Sequence, residues 1–160
     1  MQNRLSMIAL FLWLTTIAVF GWFFVHGNTA MGTDGRTSIL LSPGERDFIL
    51  GEMRGLLSGT RDIMEGLDRG DLKAAAKAAR SIGTAAAADV NPTLMTKLPL
   101  DFKTLGMSVH GDMDKLAMAA ESGKSPAELR AMLTSTMSKC VACHASWRLD
   151  ASRQGNLAGK

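Results

Sequence analysis

Near the end of the chain runs Cys140-Val141-Ala142-Cys143-His144, which holds the only two cysteines among 160 residues. Two thiols three positions apart, followed at once by an imidazole, form the C-x-x-C-H spacing of covalent c-type haem attachment. Each residue has a task in that chemistry. The thiols add across the two vinyl groups of the porphyrin, and the resulting thioethers do not dissociate. On a helix Cys140 and Cys143 lie one turn apart on one side, and His144 falls on that side too. Its imidazole then becomes the proximal ligand of the iron. Other chemistries fit the spacing less well. A structural zinc site needs four ligands, and His26 and His110 stand isolated in the sequence. A thioredoxin-like dithiol wants a strand–helix setting, and a disulfide across two residues would distort a helix.

The elements that must position this motif read as helices. Ser42-Pro43-Gly44-Glu45 has capping-box spacing with proline at the first helical position. From there Ile49, Met53, Leu56, Thr60, Ile63 and Leu67 recur at steps of 4, 3, 4, 3 and 4, a bundle seam that stops near Gly70. An alanine-rich segment from about Asp71 to Ala88 reads as a narrow second helix. Residues 90–99 carry Asn91-Pro92 and Leu98-Pro99 and read as an irregular connection. A third helix spans about Leu100 to Glu121, with Phe102, Leu105, Val109, Leu116 and Ala120 inward. Gly123 ends it. Ser125-Pro126-Ala127-Glu128 repeats the capping box, and the last helix sets Leu129, Leu133, Met137, Cys140, His144 and Trp147 on one face. No strand-like alternation is evident. The expected architecture is all-α: an antiparallel four-helix bundle with haem c on its last helix.

Upstream, Leu5 to Val25 runs 21 residues without a charge. As a helix it spans about 30 Å, the thickness of a bilayer's hydrocarbon core. Signal peptides have shorter apolar regions and a small-x-small cleavage site, which Val25-His26-Gly27 supplies poorly. Trp13, Trp22, Phe23 and Phe24 suit a membrane interface. Residues 1–26 therefore read as an uncleaved transmembrane signal-anchor, 27–41 as a flexible linker, 42–154 as the haem domain and 155–160 as a tail. The glycine-bearing linker spans about 20 Å as a coil and about 50 Å extended; the other reading is a partly ordered lead-in packed on the bundle. Arg4 on the short side places the N-terminus inside. Single-pass insertion in a bacterial cytoplasmic membrane, haem domain in the periplasm, is the expected location.

From Gly27 onward there are 17 basic and 15 acidic residues, a net +2 that two haem propionates would cancel. Nucleic-acid binding is not implied. From Leu129 onward Arg130, Lys139, Arg148, Arg153 and Lys160 face one acid, Asp150. That bias favours redox partners with acidic docking surfaces. Gly51, Gly55 and Gly59 share one flank of the first bundle helix, about 200° from Met53 at 100° per residue. The stripe reads as a contact face for a homodimer or a larger membrane complex, or as incidental surface glycine.

Helical segments ending in C-x-x-C-H-x-x-aromatic-Arg, here Cys140, Cys143, His144, Trp147 and Arg148, resemble the class II c-type cytochromes, the cytochrome c′ family. The resemblance covers roughly Ser42 to Arg153 and extends more weakly to residues 109–117; the N-terminal helix lies outside it. It implies a choice at the distal side of the haem. In the low-spin branch a methionine from the first bundle helix fills the sixth site. In cytochrome c′ proper an apolar residue there leaves iron open to NO or CO. By the order of segments that position falls on Met53, in Gly51-Glu52-Met53-Arg54-Gly55. Among eleven methionines one at helical spacing also serves as core filler, and the resemblance favours ligation. An arginine that the family often carries one turn earlier is Ile49 here. Arg148 would lie beside the imidazole and a propionate, tuning potential, or stand as a solvated surface arginine. Trp147 would pack the haem edge. His110 reads as a surface or satisfied histidine, with iron ligation in place of Met53 as the lesser reading. It stands alone, without an acid/base partner, so an enzyme is not expected. The implied function is a membrane-tethered electron-transfer cytochrome with His144 and Met53 on the iron; the alternative is a five-coordinate cytochrome c′ that binds gas.

Overall fold

A computed structural model describes residues 2–151. Arg153, the end of the expected haem domain at 154 and the tail 155–160 lie outside the described residues. Six α-helices dominate: α1 (Gln2–His26), α2 (Pro43–Asp68), α3 (Leu72–Ser81), α4 (Pro92–Lys97), α5 (Leu100–Glu121) and α6 (Pro126–Ser146). Three short strands accompany them: β1 (Thr29–Met31), β2 (Thr37–Leu41) and β3 (Trp147–Ala151). The helix α1 is long and apolar enough to cross a membrane, as a signal sequence near an N-terminus also is. Its Leu, Phe and Trp side chains are exposed along its length.

Both capping boxes form. The Glu45 amide donates to Ser42 Oγ at 3.4 Å, and the Ser42 amide donates to the Glu45 carboxylate at 2.9 Å. At α6 the corresponding distances for Ser125 and Glu128 are 3.3 and 3.0 Å. Beyond the caps, α2 packs on α3, α3 on α5, α5 on α6, and α6 back on α2. One apolar cluster fills this ring with Ile63, Leu67, Ala75, Ala79, Met113, Leu116, Leu129 and Leu133. Close approach depends on glycine. A Cβ at Gly59 would lie 2.7 Å from Ile82, and one at Gly66 would lie 2.7 Å from the Ala75 backbone. Gly59 is therefore an internal packing position, not part of an outward contact stripe; a Cβ at Gly55 would meet nothing within 4 Å, and one at Gly51 would meet only the Arg54 side chain at 3.7 Å.

The sheet is the main departure from the all-helical expectation. Strands run in the order β1-β2-β3, with β1 antiparallel to β2 and β2 parallel to β3. Thr37 pairs with Trp147 and Leu41 with Ala151. Residues 27–41 are thus an ordered hairpin that packs on the helices, not a flexible linker. Ile39 and Leu41 have no exposed surface and join Ile49, Leu94, Leu98 and Phe102 in a second apolar cluster. Burial of those two side chains, together with the backbone ladder, outweighs the glycine content of the stretch.

Three helix boundaries also differ. The alanine-rich segment stops at Ser81 and resumes as a 3₁₀ turn over Thr84–Ala87. Asp114 decides that break, accepting hydrogen bonds from the Thr84 amide at 3.0 Å and the Thr84 hydroxyl at 2.6 Å. The connection 90–99 contains α4, capped by Asn91, whose side chain accepts from the Thr93 amide at 2.8 Å. Last, α6 ends at Ser146 because Trp147 turns extended to pair with β2. Trp147 and Arg148 are strand residues, not a further helical turn.

Glu45 joins two of these elements. Its carboxylate accepts from Lys97, at the end of α4, at 2.6 Å, and from the Ser42 amide. The Lys97 hydrogen bond is the larger cause that holds its pKa at about 2. The folded value lies below the unfolded one, so this stabilisation is full above the ordinary carboxylate range and disappears as pH falls towards 2. Glu45→Gln is expected to flatten part of the fall in melting temperature between about pH 4.5 and 2, read by circular dichroism against the parent chain.

Candidate prosthetic-group cleft

Against the second cluster lies a cleft that is partly open to solvent. Its walls are largely apolar: Phe48 and Ile49 from α2, Leu94 and Met95 from α4, Phe102 and Val109 from α5. Cys140, Cys143 and His144 line it from α6, and Met53 lines it from α2. A second, adjoining cavity shares Met53, Phe102, Cys143 and His144 and extends to Arg36, Arg46, Trp147 and Arg148. The fold therefore brings the sequence motif and Met53 to the same walls.

Each element has a reason for its place. On α6 the ring cluster ends at Leu133, and beyond it the helix runs beside the cleft. Met137, expected inward, is accordingly exposed, and Thr136 is buried instead. On α5, Gly106 lines the cleft between Phe102 and His110, and a Cβ there would meet nothing within 4 Å. A glycine in mid-helix costs about 1 kcal/mol; here it leaves a flat wall. The α2 seam points Ile49 into the second cluster, with Met53 half-buried beside it.

The C-terminal end of α6 is held from the hairpin. Arg36 donates to the His144 carbonyl at 3.1 Å, and from α2 Arg46 donates to the Leu149 carbonyl of β3 at 3.1 Å. Trp147 packs edge-on against Phe102 with centroids 5.8 Å apart. Arg148 meets Asp150 at 2.8 Å and Asp34 at 3.5 Å while lining the adjoining cavity. The other described cations of that basic run are paired as well, Arg130 with Asp68 and Lys139 with Asp112. His110 is buried on the cleft wall, with Nδ1 2.9 Å from the Ile82 carbonyl. A carbonyl only accepts, so Nδ1 carries the hydrogen. His110 is thus the satisfied histidine of the two readings, with its partner on another element.

The donor set decides what the cleft can hold. Burial pushes both thiols up, Cys143 further disfavoured as a thiolate by the neighbouring Cys140. Redox dithiols depend on the opposite shift. Among the described residues no three His, Cys, Asp or Glu side chains form a group able to hold a metal ion. The walls offer two imidazoles (His110 and His144), three thioethers (Met53, Met95 and Met107) and two thiols around apolar space, with Gly106 on the α5 side. Such a set fits a planar group that brings its own equatorial ligands and is fixed through the thiols. The chain matches no protein-family model, no curated protein and no solved structure.

Proposed function

We propose that this chain is a membrane-anchored electron-transfer cytochrome of the class II kind, in which an antiparallel four-helix bundle carries one haem c on its last helix. The observation behind this reading is that Cys140, Cys143, His144 and Met53 line one apolar cleft although Met53 lies far from the others in sequence. Cys140 and Cys143 would hold the group covalently, and His144 and Met53 would ligate its iron. Bound there, haem c would supply a one-electron couple, and methionine and histidine as its ligands would raise its potential. The chain's own residues do the rest. Phe102, Leu94 and Leu98 keep water from the cleft, and Gly106 leaves room on α5. Arg36 and the β2–β3 pairing fix the end of α6 and with it the position of His144. Little then needs to move when an electron arrives or leaves.

In this reading α1 stays in a bacterial cytoplasmic membrane, with the haem domain in the periplasm. Lys103 supports retention. Its ammonium donates to the Phe24 carbonyl at 3.1 Å and lies 4.1 Å from the centre of the Phe24 ring. Cleavage after His26 would strip a buried cation of both contacts. The partners are redox proteins; acidic docking surfaces on them would answer Arg153 and Lys160, the cations of the basic run beyond the described residues.

An absorption spectrum of the purified protein tests the reading, taken oxidised and dithionite-reduced, with and without CO. Sharp split reduced bands that CO leaves unchanged are expected for a six-coordinate iron. Broad reduced bands that shift with CO would overturn Met53 ligation and favour an open gas-binding site, and a colourless protein would overturn the cytochrome reading itself.

A further inference from the structure

The junction between α1 and the rest of the chain is keyed. Gly27, at φ +64°, sits where a Cβ would come within 2.5 Å of the Lys97 carbonyl oxygen and 2.6 Å of Pro99 N. Glycine alone allows the backbone to lie that close to the α4–α5 turn. The next residue fastens it: the Asn28 amide donates to the Lys97 carbonyl at 2.7 Å, and its side chain donates to the Leu40 carbonyl at 2.8 Å. From the far side Lys103, in the first turn of α5, reaches the Phe24 and Met95 carbonyls at 3.1 and 3.2 Å. Phe24 lies in the last turn of α1, where carbonyls lack intrahelical partners and a cation complements the helix dipole.

The same end of the domain carries the cleft. Lys103 is one of its lining residues. The start of α2 meets the end of α4 through Glu45 and Lys97, and the end of α6 meets the hairpin through Arg36 and His144. The turns at Gly70 and Gly123 follow the opposite ends of α2 and α5. His144 and Phe102 therefore occupy the half of the domain nearest α1. At the cleft Phe48 and Met107 remain 44% and 41% exposed.

We propose that α1 is a fixed stalk that holds the cleft-bearing end of the domain against the bilayer surface, so that the cleft exchanges electrons with a redox protein embedded in the same membrane. The proposal rests on α1 as a retained membrane helix and, for the nature of the partner, on the electron-transfer reading. A bilayer lying against this end obstructs a soluble protein, whereas the extramembrane face of a neighbouring membrane protein stands beside it. Phe48 and Met107 give that face an apolar contact.

The orientation is read on the full chain in nanodiscs whose lipid headgroups carry a gadolinium chelate, by amide relaxation enhancement. A helix the length of α2 separates the two ends by about 39 Å, so the enhancement should fall by more than about tenfold from Lys97–Met107 to the Gly70 and Gly123 turns. Equal enhancement at both ends would overturn the stalk. A flexible Gly-Ser insertion of about 12 residues between His26 and Gly27 should abolish the gradient while the domain stays folded, its thermal melt lowered by no more than the loss of the Lys103–Phe24 contacts. In native membranes the same insertion should slow reduction of the chromophore by its membrane partner about tenfold, the scale on which effective concentration is lost with tether length. Reduction by ascorbate should be unaffected. An unchanged membrane-coupled rate would overturn the choice of partner. The relaxation gradient needs no chromophore, so it stands or falls separately from the electron-transfer reading.

Discussion

Met53→Ala is expected to make a CO-insensitive reduced spectrum respond to CO and to lower the midpoint potential. A thioether is a neutral, soft ligand that favours ferrous over ferric iron, so its loss stabilises the oxidised state. Axial ligands move haem potentials over about 0.8 V, and this substitution should use a sizeable part of that span. Met53 is half-buried at the cleft wall, so the fold should survive its truncation. Met53→Leu separates ligation from packing, since it keeps the volume and removes the sulfur. It should reproduce the spectrum of the alanine variant. An unchanged spectrum in both would make Met53 core filler. His110, whose Nδ1 is committed to the Ile82 carbonyl, would then be the next residue to replace.

The second large effect concerns attachment. In Cys140→Ser/Cys143→Ser the intact mass should equal that of the polypeptide alone, and any pigment should be released by acidified organic solvent. Each single variant should retain one thioether and remain coloured after denaturation. Serine preserves the size of the side chain but cannot form the bond, so helix α6 should be unaffected. Both cysteines lie on one flank of α6, Cys140 exposed and Cys143 half-buried. A parent chain that carries no added mass would overturn covalent attachment outright.

How much of this was legible in the sequence depends on how local each determinant is. The starts of α2 and α6 were readable because a capping box is complete within four residues. The bounds of α5 were readable for a similar reason, with Pro99 before the helix and Gly123 just past it. The break after Ser81 was not, because Asp114 imposes it from another helix. Gly59 looked like surface until Ile82 was seen to fill the space above it. Strand β2 is only Thr37–Leu41, too short for its alternation to stand out, and its parallel partner follows the Cys140–His144 stretch.

The sequence by itself determined the chemistry on offer: two thiols and an imidazole at attachment spacing, a methionine on a helical seam, an apolar N-terminal helix and the helical character of most of the chain. These follow from spacing, composition and caps, which act over a few residues. Tertiary structure alone decided that Met53 and the motif share a cleft, that α6 stops at Ser146, that residues 27–41 clasp its end, and that Gly27 and Lys103 lock α1 to the cleft wall. Each of those depends on backbone hydrogen bonds and burial between segments distant in sequence, and such contacts leave no mark on either segment read alone.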